Sequence, residues 1–261
     1  VSATGPLRIP KVPPFPGRDD FAGPTMHSAR WDHSIALEGK RVGVVGSAAS
    51  AVQLIPKIAD RAAHLTVFQR TPNYFVPKPN RAYRPIEQWA MATIPGYWRL
   101  LRWRQFWTYE LRFFTSFTPD RPIARLIEGL TRRYIRMQVP DPALQAKLLP
   151  DYRLGCKRIL LDSDYLATLC RDDVTLVTDP IARLDAGGIV TDAGHHDLDV
   201  IVFATGFEIY DMTWPARVAG PGGQTMEEAI GDSPRAWLGM MVAGFPNAFS
   251  ILGPNTGLGH N

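Results

Sequence analysis

Two cysteines in 261 residues, Cys156 and Cys170, are too few for a disulfide framework, so the fold must rest on its core. With no secretory leader in view, the expected setting is reducing and cytoplasmic. No uncharged apolar run approaches the ~18 residues of a membrane span; the longest candidate, Val42 to Pro56, is interrupted by Gly46, Ser47, Ser50 and Gln53. A Gly-x-Ser-x-Gly nucleophile elbow is missing. His33, His64 and His260 have no ligand-like spacing with either cysteine, and His195-His196 reads as a turn, so no metal site is expected.

What is present is an ordinary globular composition, 45% hydrophobic and 21% charged, with the charge unevenly placed. Residues 81–158 hold 15 Lys/Arg against 6 Asp/Glu, while the rest of the chain holds 14 against 19. A basic middle suits an anionic cofactor, a membrane surface or nucleic acid. The chain opens at Val1, in what reads as a strand end, and stops at Gly259-His260-Asn261 inside a glycine-rich turn; it is expected to be part of a longer protein.

Hydrophobic periodicity orders the elements. Residues 6–24 are rich in proline and read as an extended connector. Lys40 to Val45 is a strand, Gly46-Ser47 a turn, Ala48 to Ala62 a helix with Ala51, Leu54, Ile55 and Ile58 on one face, and His64 to Gln69 a second strand: one βαβ unit. From Arg84 to Leu149 the pattern is helical, cut by Pro95, Pro119, Pro122, Pro140 and Pro142. Leu100, Trp103, Trp107, Leu111 and Phe114 recur there at helical steps. Strands return at Asp173 to Val177, in a hairpin around Gly187-Gly188, and at Leu198 to Phe203, an apolar run of the buried parallel type. Ala-Thr-Gly occurs twice, at Ala3-Thr4-Gly5 and Ala204-Thr205-Gly206, each read as ending a strand.

The βαβ turn, Gly46-Ser47-Ala48-Ala49-Ser50, is the candidate nucleotide site, with Gln53 one turn into the helix. Such a site wants glycine for the tight turn, a small residue where the backbone meets pyrophosphate, and helix N-terminal N–H groups facing the phosphates. Ala48 stands where a second glycine is usual, and an ordinary structural turn remains an equal alternative on these residues alone. The second strand then lacks the acid that would hold a ribose 2′-hydroxyl. Arg70 and Thr71 stand there instead, 24 and 25 residues past Gly46. A guanidinium fork and a hydroxyl suit a 2′-phosphate, so these residues favour NADPH over NADH; the bland alternative is a surface arginine.

Phe21-Ala22-Gly23-Pro24-Thr25-Met26-His27-Ser28-Ala29-Arg30-Trp31-Asp32 resembles the Baeyer–Villiger monooxygenase fingerprint, and it stands directly before the nucleotide-binding turn. Phe68-Gln69-Arg70-Thr71-Pro72, Gly155-Cys156-Lys157-Arg158 and the Gly244-Phe245-Pro246-Asn247 and Gly253-Pro254-Asn255 segments are similar to further motifs of that family. The resemblance runs from end to end.

It implies an α/β fold: a Rossmann-like NADPH-binding domain, a parallel sheet flanked by helices, with an inserted helical subdomain and parts of the FAD domain at both ends. The expected divisions are 1–34 (FAD-domain remnant and connector), 35–80 and 151–203 (NADPH-binding domain), 81–150 (helical insertion) and 204–261 (FAD domain). It further implies that NADPH reduces FAD, and that a peroxyflavin formed with O2 converts a small hydrophobic ketone or aldehyde to an ester or lactone. Arg158 would stabilise developing negative charge, Lys157 would join Arg70 at the 2′-phosphate, His27 would act in a hinge, and Ala204, Thr205 and Gly206 would border the cofactor. The bland reading pairs Lys157 and Arg158 with Asp162 or Asp164. The first FAD-binding βαβ and an acidic partner for Arg158 are expected upstream of Val1, so this piece alone is expected to be inactive. N- or S-oxidation, or NADPH binding without oxygenation, are the rival activities. The aromatics Trp98, Trp103 and Trp107 are expected in the core or at a substrate tunnel; peripheral membrane contact is less favoured, and nucleic acid is not expected.

Overall fold

Short valine-rich runs too apolar to face water on either side line up here as a parallel sheet. A computed structural model describes residues 1–5, 7–78, 81–116, 122–209, 217–231 and 234–256, without the side chains of 112–116. The strands are β1 (Thr25–His27), β2 (Arg41–Val45), β3 (His64–Phe68), β4 (Phe75–Pro77), β5 (Leu160–Asp162), β6 (Val174–Val177), β7 (Ile181–Asp185), β8 (Gly188–Thr191), β9 (Gly194–Asp197) and β10 (Val200–Phe203). The helices are α1 (Ala49–Ile58), α2 (Pro85–Thr93), α3 (Tyr97–Ser116), α4 (Pro122–Gln138), α5 (Pro142–Leu148), α6 (Tyr165–Leu169) and α7 (Met226–Ile230).

Five strands form one all-parallel sheet in the order β1-β10-β2-β3-β6. Alternate residues of each strand feed opposite faces. Val42, Val44, Val200 and Val202 enter one core with Ala51 and Ile55 of α1. Val45, Ile201 and Phe203 enter another with Leu184 and Ile189 of the β7–β8 hairpin. Both faces are thus covered, as an all-parallel sheet requires. On α1 the buried residues are Ala51, Val52, Ile55 and Ile58, with Leu54 only half-buried.

Of the prolines expected to divide the helical region, Pro122 and Pro142 each open a helix, and so does Pro85, where a missing N–H costs nothing. Pro119, Phe117 and His260 lie outside the described residues, as does the Phe114 side chain. A small parallel pair, β4 with β5, bridges the chain before and after these helices.

Three expectations need correction. His195-His196 is not a turn but lies in β9, which pairs antiparallel with β8; His196 bonds the Thr191 hydroxyl at 3.2 Å and packs edge-on to Phe68. Ala3-Thr4-Gly5 ends no strand; Ser2 makes only an isolated bridge to Ser250. The aromatics of α3 are not in the core: Trp98, Trp103 and Trp107 are 45–61% exposed. No described helix is long and apolar enough to cross a membrane.

Candidate functional site

From β2 the chain moves outward to β3 and β6, whereas β10 and β1 lie on the other side of β2. In open α/β sheets the crevice outside the carboxyl ends of the strands, at such a reversal, is where ligands bind. Gly46 closes β2 at that point. Its φ of +119° suits only glycine, and a Cβ there would stand 2.5 Å from the Ala204 carbonyl oxygen. The two strand ends are knitted by Ala204 N–H donating to Val45 O at 2.8 Å and Gly46 N–H to Phe68 O at 3.0 Å.

Ser47 is buried, its hydroxyl donating to Thr71 O at 3.4 Å and its carbonyl accepting from the Asn73 amide at 2.9 Å. Ala48 is extended, φ −85° and ψ −168°, so it carries none of the left-handed strain that an alanine in place of glycine might bring. Helix α1 begins without a side-chain cap and without an acid in its first turn. Ala48, Ala49 and Ser50 are exposed there. Helix N-terminal N–H groups left in this state are an anion-binding arrangement. Gln53 turns back on its own helix, donating to Ala49 O at 3.0 Å.

At the end of β3, Gln69 is buried, its backbone N–H donating to Val177 O and its side chain to Lys147 O. Arg70 follows, exposed and with no hydrogen bond or ion pair among the described residues. Thr71 is half-buried.

Lys157 and Arg158 approach from the far side of the helical region. Strand pairing and a tyrosine pair bring their segment to the Arg70 loop. Leu160 N–H donates to Tyr74 O at 2.8 Å, Tyr74 donates its hydroxyl to Tyr152 O at 2.6 Å, and Tyr152 donates its own to Pro72 O at 2.9 Å. The Lys157 ammonium lies 5.0 Å from the centre of the Tyr152 ring. Burial pushes the Tyr152 phenol up to about 12, so it remains a donor at all ordinary pH. Neither Lys157 nor Arg158 pairs with Asp162 or Asp164 among the described residues. Asp162 is buried and accepts from the Tyr134 hydroxyl and from Tyr165 N–H.

His27 ends β1 opposite Phe203 and is buried. Its Nδ1 accepts from Ala29 N–H at 3.1 Å, which leaves the proton on Nε2, a buried donor unpaired among the described residues. Burial lowers its pKa; the Gly206 backbone opposes this, and Arg30 adds to it. Beyond β10 the Thr205 hydroxyl donates to Lys11 O. Gly206 has φ +87° with nothing within 4 Å of where a Cβ would stand.

Asn73, Tyr74 and Tyr152, which join the segments carrying the turn, Arg70 and Lys157, were not singled out from the sequence, because their contacts lie between distant segments. A shallow crevice lined by Pro14, Phe15, Gly17, Arg18, Asp19 and Asp20 contains none of the candidate residues.

No family model matches the chain. An FAD-binding monooxygenase of Aspergillus niger is 40% identical over 266 residues, and a Baeyer–Villiger monooxygenase of Streptomyces coelicolor 41% identical over 262; both alignments take in 100% of this chain. The chain is a homologue of the Baeyer–Villiger monooxygenases. It spans 43% and 50% of those two relatives' lengths. Among solved structures, the enzyme OTEMO in complex with FAD and NADP matches with a TM-score of 0.82 at 30% identity, over 97% of this chain and 56% of that one. Open cyclohexanone monooxygenase matches with 0.81 at 32%, over 97% and 57%. The fold shared with these monooxygenases is the Rossmann-like arrangement described above.

Proposed function

We propose that this chain builds the NADPH site of a flavin-dependent Baeyer–Villiger monooxygenase, which inserts one oxygen atom of O2 into a ketone or aldehyde to give an ester or lactone. The observation that carries the reading is one arrangement at the sheet's carboxyl edge. The α1 N-terminus is open, Arg70 is uncommitted, and Lys157 is tied through Tyr152 to the loop that holds Arg70. Together they suit a pyrophosphate flanked by a 2′-phosphate, the anionic pattern of NADPH.

In this reading 35–80 and 151–203 form the NADPH-binding domain, 81–150 is its helical insertion, and 1–34 and 204–261 belong to the FAD domain. The NADPH site would use Gly46 to Ser50 for the pyrophosphate and Arg70, Thr71 and Lys157 for the 2′-phosphate. Gln53, turned back on α1, supports that helix rather than the ligand. Ala204, Thr205 and Gly206 would border the flavin coenzyme through backbone, because the Thr205 hydroxyl is already engaged by Lys11 and open space lies over Gly206. The Nε2–H of His27, buried beside the Gly206 backbone without a well-formed hydrogen bond, fits a site completed by a bound acceptor.

When bound, NADPH supplies hydride and FAD supplies the oxygen-activating ring. The chain's part is to hold the first and to steady charge: Arg158, an exposed guanidinium, would hold negative charge developing on the substrate oxygen. His27, fixed by Ala29 at the end of β1, would act in a hinge rather than in proton transfer.

The reading is tested by incubating the intact protein with NADPH, FAD, 18O-labelled O2 and a panel of cyclic ketones. One labelled oxygen per molecule of lactone is expected. NADPH consumption that yields only hydrogen peroxide across ketones and aldehydes overturns it.

A further inference from the structure

Helix α3 has an apolar stripe, and it points away from the other described residues. On a 3.6-residue helix, Leu100, Trp103, Trp107 and Leu111 share one side; Leu101 and Tyr109, which are half-buried, lie on the other. The four stripe residues are 59%, 61%, 45% and 66% exposed. The aromatics are already assembled, with Trp103 and Phe106 packed edge-on to Trp107 at 6.3 and 5.6 Å. Arg99 and Arg104 flank the stripe, both exposed, and Arg99 stacks on Trp98 at 5.4 Å. Helix α4, packed beside α3, repeats the arrangement: Ala124, Thr131 and Ile135 face inward and buried, whereas Leu126, Leu130 and Met137 face outward.

An outward stripe of tryptophan and leucine bounded by arginine suits the boundary between lipid headgroups and acyl chains. The apolar face enters that boundary while the long guanidinium side chains reach back to phosphates. The charge supports an anionic lipid surface, since residues 81–158 carry 15 cationic against 6 acidic side chains. The same charge argues against self-association through this face. A two-fold contact would bring Arg99 and Arg104 of two copies together with only one described α3 acid per copy, the half-buried Glu110, to offset them.

We propose that α3, with the outer face of α4, docks the protein on an anionic lipid bilayer, lying in the interface plane with Trp103 and Trp107 inserted.

The test is flotation of the full-length protein with vesicles of phosphatidylcholine alone and of 70:30 phosphatidylcholine and phosphatidylglycerol, at low and high salt. Binding to the anionic vesicles, weakened by salt, with a blue shift of tryptophan emission, is expected. The double variant Trp103→Ser/Trp107→Ser should lose at least about tenfold in partitioning. Arg99→Glu/Arg104→Glu should lose about fivefold or more per arginine and its preference for anionic lipid. Both variants should oxidise NADPH at the wild-type rate. Absence of wild-type partitioning overturns the proposal. So does a tryptophan variant that partitions normally, or one that changes only its mass in light scattering, which would mark the stripe as a contact between copies. Should either variant fail to fold, quenching of wild-type tryptophan emission by brominated lipid decides, and no quenching overturns it.

Discussion

Tyr152 donates its hydroxyl to the Pro72 carbonyl at 2.9 Å while its ring lies under the Lys157 ammonium, so one side chain ties together the two halves of the proposed cationic site. The two halves stand 80 residues apart at that bond, with the whole helical region between them.

The ring and the hydroxyl of Tyr152 can be separated by mutation. Tyr152→Phe keeps the ring and loses one hydrogen bond, and about a two- to threefold rise in KM for NADPH is expected. Tyr152→Leu removes both, and the expected rise is about tenfold. Neither should alter KM for NADH, which has no phosphate for Lys157 to hold. Steady-state kinetics with both coenzymes check this; an equal loss with each would make Tyr152 a general structural residue.

Gly46 has no room for a methyl group. With φ at +119° and the Ala204 carbonyl 2.5 Å from a Cβ, Gly46→Ala must displace backbone at the junction of β2 and β10. A stability loss of at least about 2 kcal/mol is expected in urea unfolding. By contrast Ala48→Gly, at an extended residue, should change stability by less than about 1 kcal/mol.

Asp199 ties the opposite end of the same two strands. The Arg41 side chain and backbone N–H bond its carboxylate and hold its pKa at about 2, below the ordinary ~3.9 of an unfolded chain. The unfolded state therefore binds the proton more readily. The stabilisation is present above about pH 4 and is lost as pH falls toward 2. With the carboxylate about a third exposed, screening leaves about 1 kcal/mol. Asp199→Asn should lower stability at pH 7 by that amount and flatten this part of the pH profile, as followed by denaturant titration from pH 7 to pH 2.

Much of this organisation is legible in the sequence where local pattern and burial agree. Val200 to Phe203 are all buried, and an uninterrupted apolar run has no other place to go. β2, α1 and β3 follow from glycine placement and periodicity in the same way. β1 is different: Thr-Met-His has no alternation to read, and it is a strand because β10 offers an edge. β9, Gly-His-His-Asp, is polar and gains its pairing from β8. Periodicity on α3 showed that a stripe exists but not which way it faces, because that depends on α2 and α4 packing against the other side. In the proposed site, Arg70 is suggested by the sequence alone, standing where an acid is usual, whereas Tyr152 and Asn73 are ordinary loop residues until the chain folds back on itself.

The central claim is that Arg70 and Lys157 act on one phosphate, and the ratio of kcat/KM for NADPH to that for NADH measures it most directly. Arg70→Ala should reduce the ratio about 10- to 150-fold, the worth of a charge-assisted hydrogen bond. Lys157→Ala should also reduce it, and the double variant should fall short of the product of the two, as expected of side chains sharing a ligand. A ratio unchanged by either single substitution would contradict the account.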